Sequence, residues 1–399
     1  MRTLVLAAVA ASPVFAQLAI RGDTVHTLAG GPIRDGVVLI REGKIERVGP
    51  ASGVPIPAGY RTLRAKVVTP GLVDAHSTLG LSGWLNQAHD QEQVERSAPM
   101  QPELRAIDAY DPRERLLEYV RGYGVTTVHT GHGPGMLISG QTMVAKTAAR
   151  TADEAAIVPE AMVAVTLGDG GLAGAGKSPG TRGKAAAMIR SEFLKAQEYL
   201  AKRAKPEAGK EPVRDLHLET LGRILKGELR LLVTAHRSFD IMTALRLARE
   251  FNLKIVLDGA SEAYLVLDQI KAAGVPVILH PTMLRSGGET ANLSRETASR
   301  LQAAGIPFAL QSSFESYVPK TRVVLFEAAV AAANGLTVEQ ALESITLGAA
   351  RILGIDRRLG SLEAGKDADV ALYDGDPFEY TSHCVGVVLN GQVVSDRPN

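Results

Sequence analysis

The sequence predicts an α/β protein: a closed (β/α)8 TIM barrel with a small β-sandwich domain formed by both termini. Three observations carry this. Between residues 111 and 353, short apolar runs ending in polar residues alternate with helical stretches, the pattern of parallel strands joined by crossover helices. Both chain ends read instead as hairpins, which places them together in a separate sheet. The length of 399 residues, 45% hydrophobic and 22% charged, suits one large barrel with an appendage. The expected parts are a leader over 1–16, a composite β-sandwich from 17–68 and 355–399, and the barrel over 69–354.

In chain order, Arg2 precedes the apolar run Leu4 to Ala11, Ser12-Pro13 breaks it, and Val14-Phe15-Ala16 offers small residues at −3 and −1. This reads as a secretory signal cut before Gln17, with an ordinary first strand as the alternative. Export implies a periplasmic or secreted protein. Leu18 to Ile20, Gly36 to Ile40 and Lys44 to Val48 are strand candidates, with turns at Gly30-Gly31-Pro32 and Glu42-Gly43. The far end repeats this texture, with Asn390-Gly391 as a hairpin turn. The stretch Val67 to Gly80 is continuously apolar to Val73 and then turns to Asp74-Ala75-His76, as in a strand buried on both faces with its chemistry at the C-terminal end. His76 and Thr78 share a face there.

Asp111-Pro112 opens an expected helix through Tyr123, followed by a strand over Val125 to Thr130 and the loop Gly131-His132-Gly133-Pro134-Gly135. Met143 to Lys146 and Ala161 to Leu167 are short strands, and Thr181 to Lys205 is a long helix. Strands then end at His236, Asp258-Gly259, His280 and Gln311-Ser312-Ser313, each followed by a helix. The last helix runs from Thr337 to Leu353 and opens with a capping box, Thr337 and Gln340.

Five of nine histidines, His76, His129, His132, His236 and His280, lie at or near proposed strand ends, where a barrel places a metal or acid–base site. Any single one of them also suits a structural role. A net charge of +1 leaves no footprint for nucleic acid or an anionic membrane, and no run after the leader is long enough to span a bilayer. The expected partner is a small-molecule substrate or ligand. Cys384 is the only cysteine, which excludes an internal disulfide and reads as a structural thiol. No Gly-x-Gly-x-x-Gly follows a strand, no Gly-x-Ser-x-Gly surrounds Ser312-Ser313, and Lys177 lacks P-loop spacing. The polar insertion around Trp84, Asn86, Gln87 and His89 suits a lid or a contact in a homo-oligomer, or a merely solvated loop.

Pro70-Gly71-Leu72-Val73-Asp74-Ala75-His76 resembles the opening strand of the metal-dependent amidohydrolase superfamily. Gly124-Val125-Thr126-Thr127-Val128 resembles that family's second strand. Leu137-Ile138-Ser139-Gly140-Gln141, Ala235-His236-Arg237, Glu262-Ala263-Tyr264 and Gly360 to Asp369 are similar to motifs of its imidazolonepropionase-like and prolidase-like branch. The resemblance implies a hydrolase of non-peptide C–N bonds, in a cyclic amide or dipeptide-like small molecule, using divalent zinc. It implies His76 and His236 as catalytic residues and metal ligands. Substrate would be bound by His132, Gln141, Glu262, Tyr264, His280 and Gln311. The other family ligand positions fall on Thr78, Ala164, Gly259 and Ser313, so most of the metal set is missing. Three readings stay open: a metal moved onto His132 and His280 with His76 and His236; metal-free chemistry on His76 or His236 with Glu262, Asp258 or Glu315 as partner; and an inactive, metal-free barrel acting as a binding or scaffold protein.

Overall fold

A computed structural model describes residues 17–174, 176–205, 212–313, 321–396 and 398. The leader and Glu315 lie outside these residues. Among the described residues, no helix is long and apolar enough to cross a membrane.

The two chain ends build one sheet. Its strands are β1 (Leu18–Val25), β2 (Ile33–Arg41), β3 (Lys44–Pro50), β4 (Arg61–Pro70), β15 (Val370–Tyr373), β16 (Cys384–Leu389) and β17 (Gln392–Ser395), in the order β17-β16-β15-β4-β1-β2-β3. The sheet curls until its ends meet: Ala368 N donates to Gly43 O at 2.9 Å, and Gly391 N donates to Ala368 O at 2.9 Å. Leu18, Ile20, Val38, Ile40, Val68, Val370 and Val388 fill the interior that this closure creates.

The barrel strands are β5 (Leu72–Ser77), β6 (Val125–Thr130), β7 (Ile138–Gln141) with β8 (Met143–Lys146), β10 (Met162–Thr166), β11 (Arg230–Ala235), β12 (Ile255–Gly259), β13 (Val277–Leu279) and β14 (Phe308–Leu310); β9 (Ala156–Val158) pairs outside this ring with β8. Five neighbours from β10 to β14 run parallel, and β5 is parallel to β6. A parallel bridge between Ser77 and Ser313 joins the first strand to the last, with Ser313 N donating to His76 O at 3.0 Å. Val73, Ala75, Val144, Met162, Leu232, Val256, Ile278 and Ala309 pack inside the barrel. Ala349, Ala350, Ile352 and Leu353 of the helix Leu347–Leu353 close it from below.

Four expectations need correction. The apolar stretch from Val67 is two strands, broken at Gly71, where the chain passes from the sandwich into the barrel. A Cβ at Gly71 would collide with Thr126. The third barrel strand, β7–β8, is antiparallel to both β6 and β10. The chain between Thr130 and Ile138 is shorter than the dozen or so residues a parallel crossover needs, so the strand returns as a hairpin. The helix placed at Asp111 begins at Arg115, capped by Glu114, whose carboxylate accepts from Leu116 N at 2.6 Å. The helix from Thr337 is two helices, Val338–Ser344 and Leu347–Leu353. Ile345 O is taken instead by Val73 N at 2.8 Å, and Thr346 Oγ1 donates to Leu342 O at 2.5 Å.

Candidate functional site

Above the apolar barrel interior lies a polar layer. Strand alternation builds it: Leu232, Val256, Ile278 and Ala309 face inward, so Thr234, Asp258, His280 and Gln311, two residues on, face inward too. Asp258 is its centre. One carboxylate oxygen meets His76 Nδ1 at 2.9 Å and accepts from Gln311 Nε2 at 2.9 Å, while the other accepts from Thr234 Oγ1 at 2.6 Å. His76 is 2% exposed and Asp258 3%. A carboxylate accepts only, so His76 Nδ1 carries the proton and Nε2 is the atom left for chemistry. That Nε2 is buried without a hydrogen-bond partner among the described residues.

The surroundings push these groups apart. Burial alone opposes charge on both, but the Asp258 carboxylate holds His76 above the ordinary imidazole value, and the His76, Thr234 and Gln311 bonds hold Asp258 down to about 2. Burial raises Asp74 to about 6, although its carboxylate accepts from Ser312 N at 3.0 Å and His76 N at 3.3 Å. Burial pushes the other four strand-end histidines toward the neutral form: His129 to about 3, His132 and His280 to about 4, and His236 below its usual value. One charge-prone histidine therefore sits among neutral ones.

Of the residues singled out from sequence, His76, His280 and Gln311 belong to this layer. His236 follows β11 and meets Ser261 Oγ at 2.8 Å through Nδ1. His129 is bound on both sides, to Ala75 O and Thr142 Oγ1, each at 2.7 Å. Among the described residues His132 has neither ring nitrogen bonded, and its ring fills the space a Cβ at Gly140 would need. Gln141 faces away from the layer: its amide donates to Pro102 O at 3.0 Å and Thr220 Oγ1 at 3.4 Å, outside the barrel wall. Glu262 and Tyr264 brace the rim. Glu262 accepts from Ser238 N at 2.7 Å and Asn292 Nδ2 at 2.8 Å, and Tyr264 OH donates to Asn292 O at 2.9 Å. Asp74 and Thr234 were missed as site residues; the two-residue spacing from Leu232 was the signal for Thr234.

The chemistry of the donors can be tested against a divalent ion. His76 has one nitrogen committed to Asp258. Thr78 Oγ1 accepts from Ser82 Oγ at 2.6 Å. Ala164 carries no donor. Gly259 has φ +74°, and a Cβ there would stand 2.6 Å from the His236 ring. Ser313 has φ +57° and gives its N–H to close the barrel. Among the described residues, no three His, Cys, Asp or Glu side chains are placed to share an ion. The described residues do not fit the divalent ion that family members generally use.

A histidine–carboxylate layer at the C-terminal mouth lies where barrels of this fold carry their chemistry. Residues 302–395 match the amidohydrolase family model. The crystal structure of an amidohydrolase from Thermotoga maritima MSB8 superposes with a TM-score of 0.89 at 29% identity, covering 95% of this chain and 100% of that one. An imidazolonepropionase of Rhizorhabdus wittichii is 26% identical over 89% of this chain and 92% of its own length. The amidohydrolase tasK of Hapsidospora irregularis is 26% identical over 91% of this chain, which spans only 40% of that protein. By these matches the chain is similar to members of the amidohydrolase superfamily over nearly its whole length.

Proposed function

We propose that the protein hydrolyses a C–N bond of a cyclic amide or dipeptide-like small molecule, with His76 as acid–base and Asp258 as its orienting partner. The observation that carries this is the buried His76–Asp258 contact at 2.9 Å with His76 Nε2 left unbonded. Relatives named as imidazolonepropionases over nearly the whole chain support the bond type. In the forward step, water gives a proton to neutral His76 Nε2 as its oxygen attacks the carbonyl carbon. Asp258 keeps Nδ1–H in place and stabilises the imidazolium that forms. The proton then passes from Nε2 to the leaving nitrogen as the C–N bond breaks. Because Asp258 raises the His76 pKa, the base form accumulates only above the ordinary imidazole range, and the rate rises with pH through it.

The donor set does not fit a divalent pair, so no step is routed through a metal. The test is a panel of cyclic amides and proline-containing dipeptides assayed with chelated protein of verified metal content, beside His76→Ala. Turnover that survives chelation and falls on the order of a thousandfold in the variant supports the reading. Activity lost with chelation and restored by zinc overturns it. A second reading, a binding barrel without turnover, is favoured by the side chains at the family's ligand positions, Thr78, Ala164, Gly259 and Ser313, none of which is a His, Cys, Asp or Glu.

A further inference from the structure

Two hydrogen-bond acceptors in the polar layer have nothing bonded to them among the described residues, and chemistry fixes their polarity. Pro281 O only accepts, so His280 Nδ1, 2.7 Å away, carries the ring proton and Nε2 presents a lone pair. Both amide hydrogens of Gln311 are used, toward Asp258 at 2.9 Å and Ile278 O at 3.1 Å, which leaves Oε1 as an acceptor. Neither His280 Nε2 nor Gln311 Oε1 has a partner among the described residues. Leu279 and Leu310 are register partners in parallel strands, so His280 and Gln311 follow side by side and face inward together.

Such acceptors cost about 1–3 kcal/mol each while unmet. The His280 loop is not free to turn away. Glu327, fully buried, accepts from Thr282 Oγ1 and Met283 N, both at 2.8 Å, and fixes the loop from beneath. Burial also keeps the His280 ring neutral, its pKa pushed down to about 4, so Nε2 stays an acceptor at neutral pH.

We infer that the mouth recognises a ligand through N–H donors that the ligand itself supplies, with His280 Nε2 and Gln311 Oε1 as the paired acceptors. This rests on reading the mouth as the ligand site and adds the group recognised there: an N-unsubstituted amide or ureide edge. A site built around acceptors rejects an analogue that lacks the donors, because the acceptors are then sealed off unmet.

The test uses three five-membered ring carbonyl compounds of similar size, imidazolidin-2-one with two N–H groups, pyrrolidin-2-one with one and cyclopentanone with none. Each is titrated into the full chain by calorimetry. Affinity should fall in that order, by about tenfold or more from first to last. In His280→Phe the spread should shrink to about twofold, and the unfolding midpoint should not drop, since an unmet buried acceptor has been removed. ¹⁵N NMR of the His280 ring gives a second measurement on the unaltered chain: an unprotonated Nε2 whose resonance moves when imidazolidin-2-one is added. Equal affinities, an unchanged spread in His280→Phe, or no binding of any probe at millimolar concentration would overturn the inference. Graded binding without turnover leaves it standing and sinks the hydrolase reading, while turnover without the gradient does the reverse.

Discussion

The barrel has a buried polar cluster at each end, and the two are built by opposite rules. At the foot, where β8 ends beside the sandwich, Lys146 Nζ meets Asp369 at 2.5 Å and Asp367 at 3.5 Å. Lys44 and Arg358 reach Asp367 at 2.5 and 2.8 Å, and Asn390 N fills the last Asp369 oxygen at 2.9 Å. Every carboxylate oxygen there is in use. At the mouth, His76 Nε2, His280 Nε2 and Gln311 Oε1 have no partner among the described residues. A cluster that is complete within the chain joins two domains. One that is incomplete among the described residues has room for a further partner.

The sharpest way to break this contrast is Asp258→Asn. An amide no longer fixes the Nδ1–H form of His76, so kcat should fall on the order of 10³–10⁴ while the circular dichroism spectrum stays native. Lys146→Met should do the reverse. It leaves two carboxylates buried without their cation and should cost about 3–5 kcal/mol in urea unfolding, with KM little changed in the folded fraction.

Acid titration separates the ends by sign. Asp74 at the mouth has its folded pKa raised to about 6, above an unfolded value of about 3.9. Its contribution of about 3 kcal/mol is therefore present below pH about 4 and lost as pH rises through about 6, a slope that Asp74→Asn should remove from urea midpoints. Asp367 at the foot has its pKa lowered: burial opposes this, and Lys44, Lys146 and Arg358 outweigh it. Its contribution is present above the unfolded value and lost as pH falls through the folded one, so Asp367→Asn should flatten the acid limb instead. The smallest effect belongs to Thr234→Val, which removes one bond to the Asp258 carboxylate and should cost about 1.5–3 kcal/mol by the same unfolding assay.

Strand ends were readable because apolar runs stop where the barrel interior meets polar residues, as at Val73 and Leu257. His76, His280 and Gln311 could be placed on that ground. What sequence did not show was partnership. Asp258 was one of several carboxylates on offer, and only closure of the barrel brings it to His76 across the interior. Gln141 looked like a site residue because its motif resembles a family one, yet alternation from Val144, which packs inside the barrel, turns its amide outward. Strand direction follows from the length of the preceding loop, a quantity local spacing contains but periodicity ignores. The break at Ile345 was hidden because the carbonyl that leaves the helix answers to Val73, far away in sequence.

The sandwich sheet has a consequence for how the chain is made. β4 ends at Pro70, and its partner β15, paired Pro70 to Val370, comes only after the whole barrel. At ribosomal rates of about 5–20 residues per second, the outer edge of β4 waits on the order of tens of seconds with its backbone groups unpaired. During that interval the nascent chain carries an adhesive strand that no intramolecular contact covers. Its yield should therefore depend on how quickly, and how crowded, the cell translates it. Moving the break in the chain so that β15 precedes β4 would let this sheet close before the barrel is begun.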